Sequence, residues 1–214
     1  MYRAGRILMP RLTQSPNVSS NPKRHTFQLK RYEILEGLPS YGPMYIPISE
    51  DGIPFYYEGY VIRFYKSDET NWIANFKCGN TNFQDVLDYP KQNRIVVFAK
   101  GTCYIMTADT EVPIKAFGVG ILNAFQTEDG FIILPDQTDV SVININNDEV
   151  WHSERISWDG LAELKFENDI LTGLAYEPTS DDGEWKPFSF NFRTKELIGE
   201  TYFYDYKKPW WKFW

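Results

Sequence analysis

The chain has little with which to do redox or metal chemistry. Its 214 residues hold two cysteines, Cys78 and Cys103, and two histidines, His25 and His152. Two cysteines cannot make a framework of several bridges, and two buried thiols in a reducing compartment are the expectation. No Cys or His pair has the spacing of metal ligands, so no metal is expected. No cofactor is expected either. Gly118-Val-Gly120 lacks the third glycine of a dinucleotide fingerprint and leads into no helix, and no P-loop lysine motif is present. With two distant histidines and no G-x-S-x-G elbow, a Ser-His-Asp arrangement is not expected. Residues 1–30 lack the apolar stretch of a secretory signal, and no run nears the roughly 18 apolar residues of a membrane span. The expected compartment is the cytoplasm.

What the chain has in quantity is aromatic side chains. They make up 17% of it, with 15 Phe, 14 Tyr and 7 Trp. Such residues fit a pleated, half-buried surface, so the composition leans toward sheet. Scattered Gly and Pro supply the turns that many short strands need.

Charge is distributed unevenly. Residues 1–24 carry +5 and no acid, residues 205–214 carry +2, and the body between them carries −14 of a net −7. An acidic body disfavours nucleic acid, whose phosphates call for Lys and Arg. It favours a basic protein partner, since opposite fields speed encounter.

Residues 1–25 are polar, basic and broken by Pro10, Pro16 and Pro22, and are expected to be a disordered arm. Residues 26–206 are expected to form one all-β domain. Residues 207–214 form an aromatic tail in which Trp210, Trp211, Phe213 and Trp214 cannot all sit comfortably in water. That tail can clasp the body, dock a partner or rest on a membrane surface, where Trp and Lys combine well; it is too short for stable insertion.

The organising feature is a repeat. Ile143-Asn-Ile-Asn-Asn-Asp-Glu-Val-Trp151 returns as Phe190-Asn-Phe-Arg-Thr-Lys-Glu-Leu-Ile198, and a weaker copy is Ile105-Met-Thr-Ala-Asp-Thr-Glu-Val-Pro113. Each copy is a strand, a polar turn, a Glu and another strand. A period near 40 residues is that of tandem β-meanders, because one meander cannot bury both faces and a neighbour must cover the second. Strands are expected at 27–34, 55–65, 71–76 and 81–89. A hairpin at 95–107 turns on Lys100-Gly101. Further strands are expected at 121–125, 131–134, 140–145, 150–154, 161–166, 170–176, 187–192 and 197–203. Four short strands per unit resemble the blade of a β-propeller. The expected fold is all-β, built of tandem four-stranded antiparallel meanders in a small or incomplete propeller-like arrangement.

Function is sought where the repeat breaks, at the irregular stretch 45–82 and the insertion 177–184. The insertion gathers Glu177, Asp181, Asp182 and Glu184, beside Trp185 and near Trp158. Carboxylates next to Trp suit a partner rich in Arg or Lys, through ion pairs and cation–π contact. A compact acidic body with acidic insertions, aromatic side chains and no cofactor signature resembles, in general type, the immunity proteins of interbacterial toxin systems. The resemblance covers the character of residues 27–204. It implies a non-catalytic inhibitor that occludes a basic toxin or effector. Two alternatives stand: a carbohydrate-binding or glycoside-active propeller with paired carboxylates and Trp platforms, and a structural subunit that assembles through its aromatic tail.

Overall fold

A computed structural model describes residues 30–42, 44–178 and 183–199. The basic arm 1–25, Asp181, Asp182 and the tail residues Trp210, Trp211, Phe213 and Trp214 lie outside them.

The described residues form sixteen strands in four four-stranded sheets and no helix. The first sheet contains β1 (Tyr32–Ile34), β2 (Ile46–Ile48), β3 (Tyr60–Tyr65) and β4 (Asn71–Phe76). The second contains β5 (Asp85–Tyr89), β6 (Arg94–Ala99), β7 (Thr102–Met106) and β8 (Lys115–Phe117). The third contains β9 (Phe125–Gln126), β10 (Phe131–Pro135), β11 (Val140–Asn144) and β12 (Glu149–His152). The fourth contains β13 (Leu161–Glu167), β14 (Ile170–Pro178), β15 (Gly183–Asn191) and β16 (Glu196–Gly199). The second, third and fourth sheets are antiparallel meanders in chain order. The first is not. Its order is β1-β3-β4-β2, and β2 runs parallel to β4.

The sheets stack in sequence because alternate residues of each inner strand face opposite neighbours. In the second sheet Ile95, Val97, Tyr104 and Met106 join Phe64, Trp72 and Phe76 of the first. Val96, Phe98, Cys103 and Ile105 point the other way, to Ile132, Leu134 and Ile143 of the third. Ile133, Val140 and Val142 then meet Leu171, Phe188 and Phe190 of the fourth. Strands buried on both faces read as near-continuous apolar runs, which is why β6 and β7 are apolar throughout apart from Arg94 and Thr102. Among the described residues no apolar cluster joins the fourth sheet back to the first. The stack is propeller-like and open.

The repeat holds a turn between the third and fourth strands of each meander. Asn144 Oδ1 accepts the N–H of Asn146, and Asn191 Oδ1 accepts those of Arg193 and Thr194. Asp148 and Lys195, the residues before each Glu, take the left-handed conformation, with φ of 58° and 61°. The weak copy is displaced by one residue from the register expected from the sequence. Thr107, not Met106, plays the part of the asparagine, its hydroxyl accepting the N–H of Asp109 and Thr110. Ile105 therefore faces the third sheet, whereas Ile143 and Phe190 face the sheet before their own. A slip of one residue exchanges faces. The loop is also longer, so Val112 is exposed and β8 begins at Lys115.

Three other expectations are corrected. Residues 55–59 are not strand: the N–H of Gly59 goes to Asn75 Oδ1, and Gly59 lies so close to the Phe76 carbonyl that a Cβ would sit 2.0 Å from it. Residues 121–124 are a connection held to the β6–β7 turn and to the end of β10, Ile121 N–H to Gly101 O and Leu122 N–H to Pro135 O, and strand begins at Phe125. Residues 183 and 184, expected as part of the insertion, and 185–186, expected in no element, belong to the long β14–β15 hairpin.

Rim contacts lock each junction between sheets. Arg31 donates to Asp88 at 2.8 Å and to Asn93 at 2.6 Å across the first junction. Arg94 donates twice to Asp148, at 2.8 and 2.6 Å, across the second. Arg193 reaches Asp129 at 2.9 Å across the third. Hydrogen bonding to Asp148 raises the Arg94 pKa, while burial raises that of Asp88 despite Arg31.

Candidate functional site

The β14–β15 hairpin gathers most of the expected contact residues at one end of the fourth sheet. Trp185 sits opposite Tyr176, their rings 5.4 Å apart and inclined at 62° to each other. Trp158, on the connection from the third sheet, donates its N–H to the Tyr176 carbonyl, and Arg155 lies 5.6 Å from its ring. Gly160 lies against the tip of the Trp185 ring, where a Cβ would be 3.1 Å from it. Trp158 and Trp185 are 43% and 48% exposed. Two large amphipathic rings held half in water by backbone contacts are the kind of side chain that dominates protein interfaces.

The carboxylates are placed differently. Glu177 and Glu184 face each other across the hairpin stem. They stand one residue from Tyr176 and Trp185, so strand alternation puts them on the opposite face. Glu177 is paired with Lys186 on that face. Glu184 is exposed. The expected single contact of Trp and acid is thus divided between two faces of one hairpin, while Asp181 and Asp182 lie outside the described residues.

The outer face of the fourth sheet continues this surface. Alternation from the inward Leu171, Phe188 and Leu197 leaves Leu174, Pro187 and Ile198 facing away from the third sheet. Ile198 is 62% exposed.

A second region was flagged by sequence only as irregular. Residues 35–59 contain Glu36, Glu50, Asp51 and Glu58 and no basic residue. Tyr41, Met44, Ile53, Tyr56 and Tyr57 within it are all exposed. Its backbone is nonetheless pinned. The buried Asn75 receives Gly59 N–H and donates to Tyr57 O at 2.9 Å, Ser49 Oγ donates to Ile53 O, and Leu38 N–H goes to Glu58. The signal in the sequence was the run of Tyr and acid without a single Lys or Arg.

Two features bear on chemistry. Ser141 and His152 are cross-strand partners, with Oγ and Nδ1 2.8 Å apart. Ser141 is buried, the Phe117 ring stands edge-on to the imidazole, and among the described residues no carboxylate hydrogen-bonds to His152. This is a structural pair rather than an activated nucleophile. A cavity of about 350 Å³ lies between β12 and the β15–β16 hairpin, lined by Trp151, His152, Glu154, Phe190, Lys195 and Leu197. It offers one carboxylate, not two, and the Lys195 ammonium covers the Trp151 ring at 4.5 Å. Among the described residues no cluster of His, Cys, Asp or Glu could hold a metal ion. Cys78 and Cys103 are free thiols, and burial raises the pKa of both. Among those residues no helix is long and apolar enough to cross a membrane.

No protein-family model matches the chain, and no curated protein matches it. Among solved structures it is similar to the computationally designed Ika4 protein, at 14% identity and a TM-score of 0.37, over 57% of this chain and 76% of that one. It is also similar to the computationally designed Ika8 protein, at 9% identity and a TM-score of 0.31, over 71% of this chain and 60% of that one. Likeness at that distance carries no argument about function.

Proposed function

We propose that the chain is a non-catalytic binding module for a basic protein, acting as an immunity-type inhibitor that occludes a toxin or effector. The observation that carries this reading is the end of the fourth sheet. Trp158 and Trp185 are held half-exposed around Tyr176, with the exposed Glu184 on the opposite face of the same hairpin. The aromatic rings supply anchors that lose little conformational freedom on binding, and the acidic body steers a basic partner toward them.

The test is recovery of a bound protein from the native host with tagged full-length chain, repeated with Trp185→Ala and Glu184→Lys. The expected outcome is one basic protein recovered by the wild type and lost with Trp185→Ala. Addition of the chain should abolish that protein's toxicity in a stoichiometric manner. Recovery unchanged by both substitutions, or of an acidic protein, counts against the reading.

A further inference from the structure

We infer that the tyrosine-rich acidic segment 35–59, which edges the first sheet, is itself a docking surface for a basic protein. The inference rests on the basic-partner reading above and places the contact at the other end of the stack.

Four observations lead there. The segment carries −4 in 25 residues without one compensating base. Tyr41 and Tyr56 are 92% and 90% exposed, and Met44 is 87% exposed. Tyr and Met are enriched at protein interfaces, and a fold pays a solvation penalty to show them so fully to water. Third, the display is ordered. Phe55 is buried and anchors the segment, while Asn75, 0% exposed, grips its backbone on both sides of Glu58. Presenting rigid aromatics in advance lowers the entropic cost of binding. Fourth, the acids have local roles that leave charge available. Glu58 holds Leu38 N–H and Asp51 lies 3.6 Å from Lys77, whereas Glu36 and Glu50 make no ion pair among the described residues. An exposed carboxylate between tyrosines suits Lys and Arg by charge and by cation–π contact together.

A decalysine peptide serves as the probe, titrated into the full-length chain by calorimetry at low and at physiological salt. The double variants Glu36→Lys/Glu50→Lys and Tyr41→Ala/Tyr56→Ala should each weaken binding about tenfold, equivalent to about 1.4 kcal/mol. Their melting temperatures should match the wild type, since all four side chains are exposed. The control Glu128→Lys/Glu167→Lys makes the same change in net charge elsewhere and should alter binding less than about twofold. Carbodiimide should cross-link the peptide to Glu36 or Glu50. Equal weakening by the control overturns the inference. Loss confined to Trp185→Ala and Glu184→Lys overturns it while leaving the basic-partner reading standing. No binding of the peptide at all overturns both. A cross-link in the free monomer from Lys23 to Glu50 makes the chain's own basic residues the occupant and overturns it. A dimer that dissociates in the Tyr41→Ala/Tyr56→Ala variant makes a second copy the occupant and also overturns it.

Discussion

The first and fourth sheets end the stack in opposite ways. In the first, residues on the face turned from the core are sealed: Val61 is 2% and Ile73 0% exposed, and Asn75 is bound by the segment before β3. In the fourth, the corresponding face shows Trp185 and Ile198 to solvent. The first sheet achieves its seal by abandoning the meander. Its order β1-β3-β4-β2 sends two long connections, 35–45 and 49–59, around the sheet. The fourth keeps the meander and leaves its face open. An end sheet in a repeat fold either departs from the repeat to cover its outer face or keeps the repeat and leaves that face open.

That contrast can be broken most severely at its core. Phe76 is fully buried between the first and second sheets, and Phe76→Ala should cost about 3–5 kcal/mol. Trp185→Ala should cost far less in the same chemical denaturation series, because its ring is half exposed. A comparable loss at both would mean that the outer face of the fourth sheet is covered. Next is Gly59→Ala, which drives a methyl into the Phe76 carbonyl and should cost about 1–3 kcal/mol while releasing the 49–59 segment to proteolysis. Resistance to protease in that variant would detach the seal from Gly59. Third, Arg94→Ala removes a half-buried bidentate pair and should cost about 1.5–3 kcal/mol by thermal melt. Arg193→Ala, whose pairs are in water, should shift the melt less.

The smallest effect concerns pH. Backbone and side-chain hydrogen bonds from Ser67 hold Asp109 below the usual carboxylate range, and the Thr127 hydroxyl with Arg193 does the same for Asp129. Their folded pKa values lie below the unfolded value near 3.9. The stability they contribute is complete above that value and is lost as pH falls through the lower folded one. Asp109→Asn and Asp129→Asn should each flatten the fall in melting temperature below about pH 4. Burial raises Asp88 at the first junction, so its effect has the opposite sign: it gains stability as pH falls. Asp88→Asn should therefore steepen the acid loss slightly, and a flatter profile would reverse that assignment.

Much of the fold was legible because local chemistry and tertiary role agree. Lys100-Gly101 forms the expected hairpin turn with φ of 47° and 96°, and the Asn at 144 and 191 caps its turn through its own side chain. Misreadings came where tertiary contact overrode pattern. The repeat spacing aligns Met106 with the asparagine of the other copies, yet Thr107 makes the turn and Ile105 goes to the opposite face. The acidic insertion read as a loop because Glu177 and Glu184 are polar, but their alternation with Tyr176 and Trp185 is the period-two pattern of a hairpin with unlike faces. The first sheet was least legible, since its parallel β2–β4 pair leaves no local signal.

The turn residue that follows each repeat asparagine, or Thr107, faces backwards. Asp109 accepts Ser67 N–H from the first sheet, Asn146 accepts the Gln92 amide from the second, and Arg193 reaches Asp129 of the third. The second, third and fourth sheets each therefore carry a turn that latches onto the sheet before, beside the contacts that Arg31 and Arg94 extend forward. The assembly has a direction: a sheet emerging from the ribosome finds its keeper already built, and each added unit finishes a junction. A chain stopped after the second sheet would keep the Ser67–Asp109 latch and leave Arg94 without Asp148.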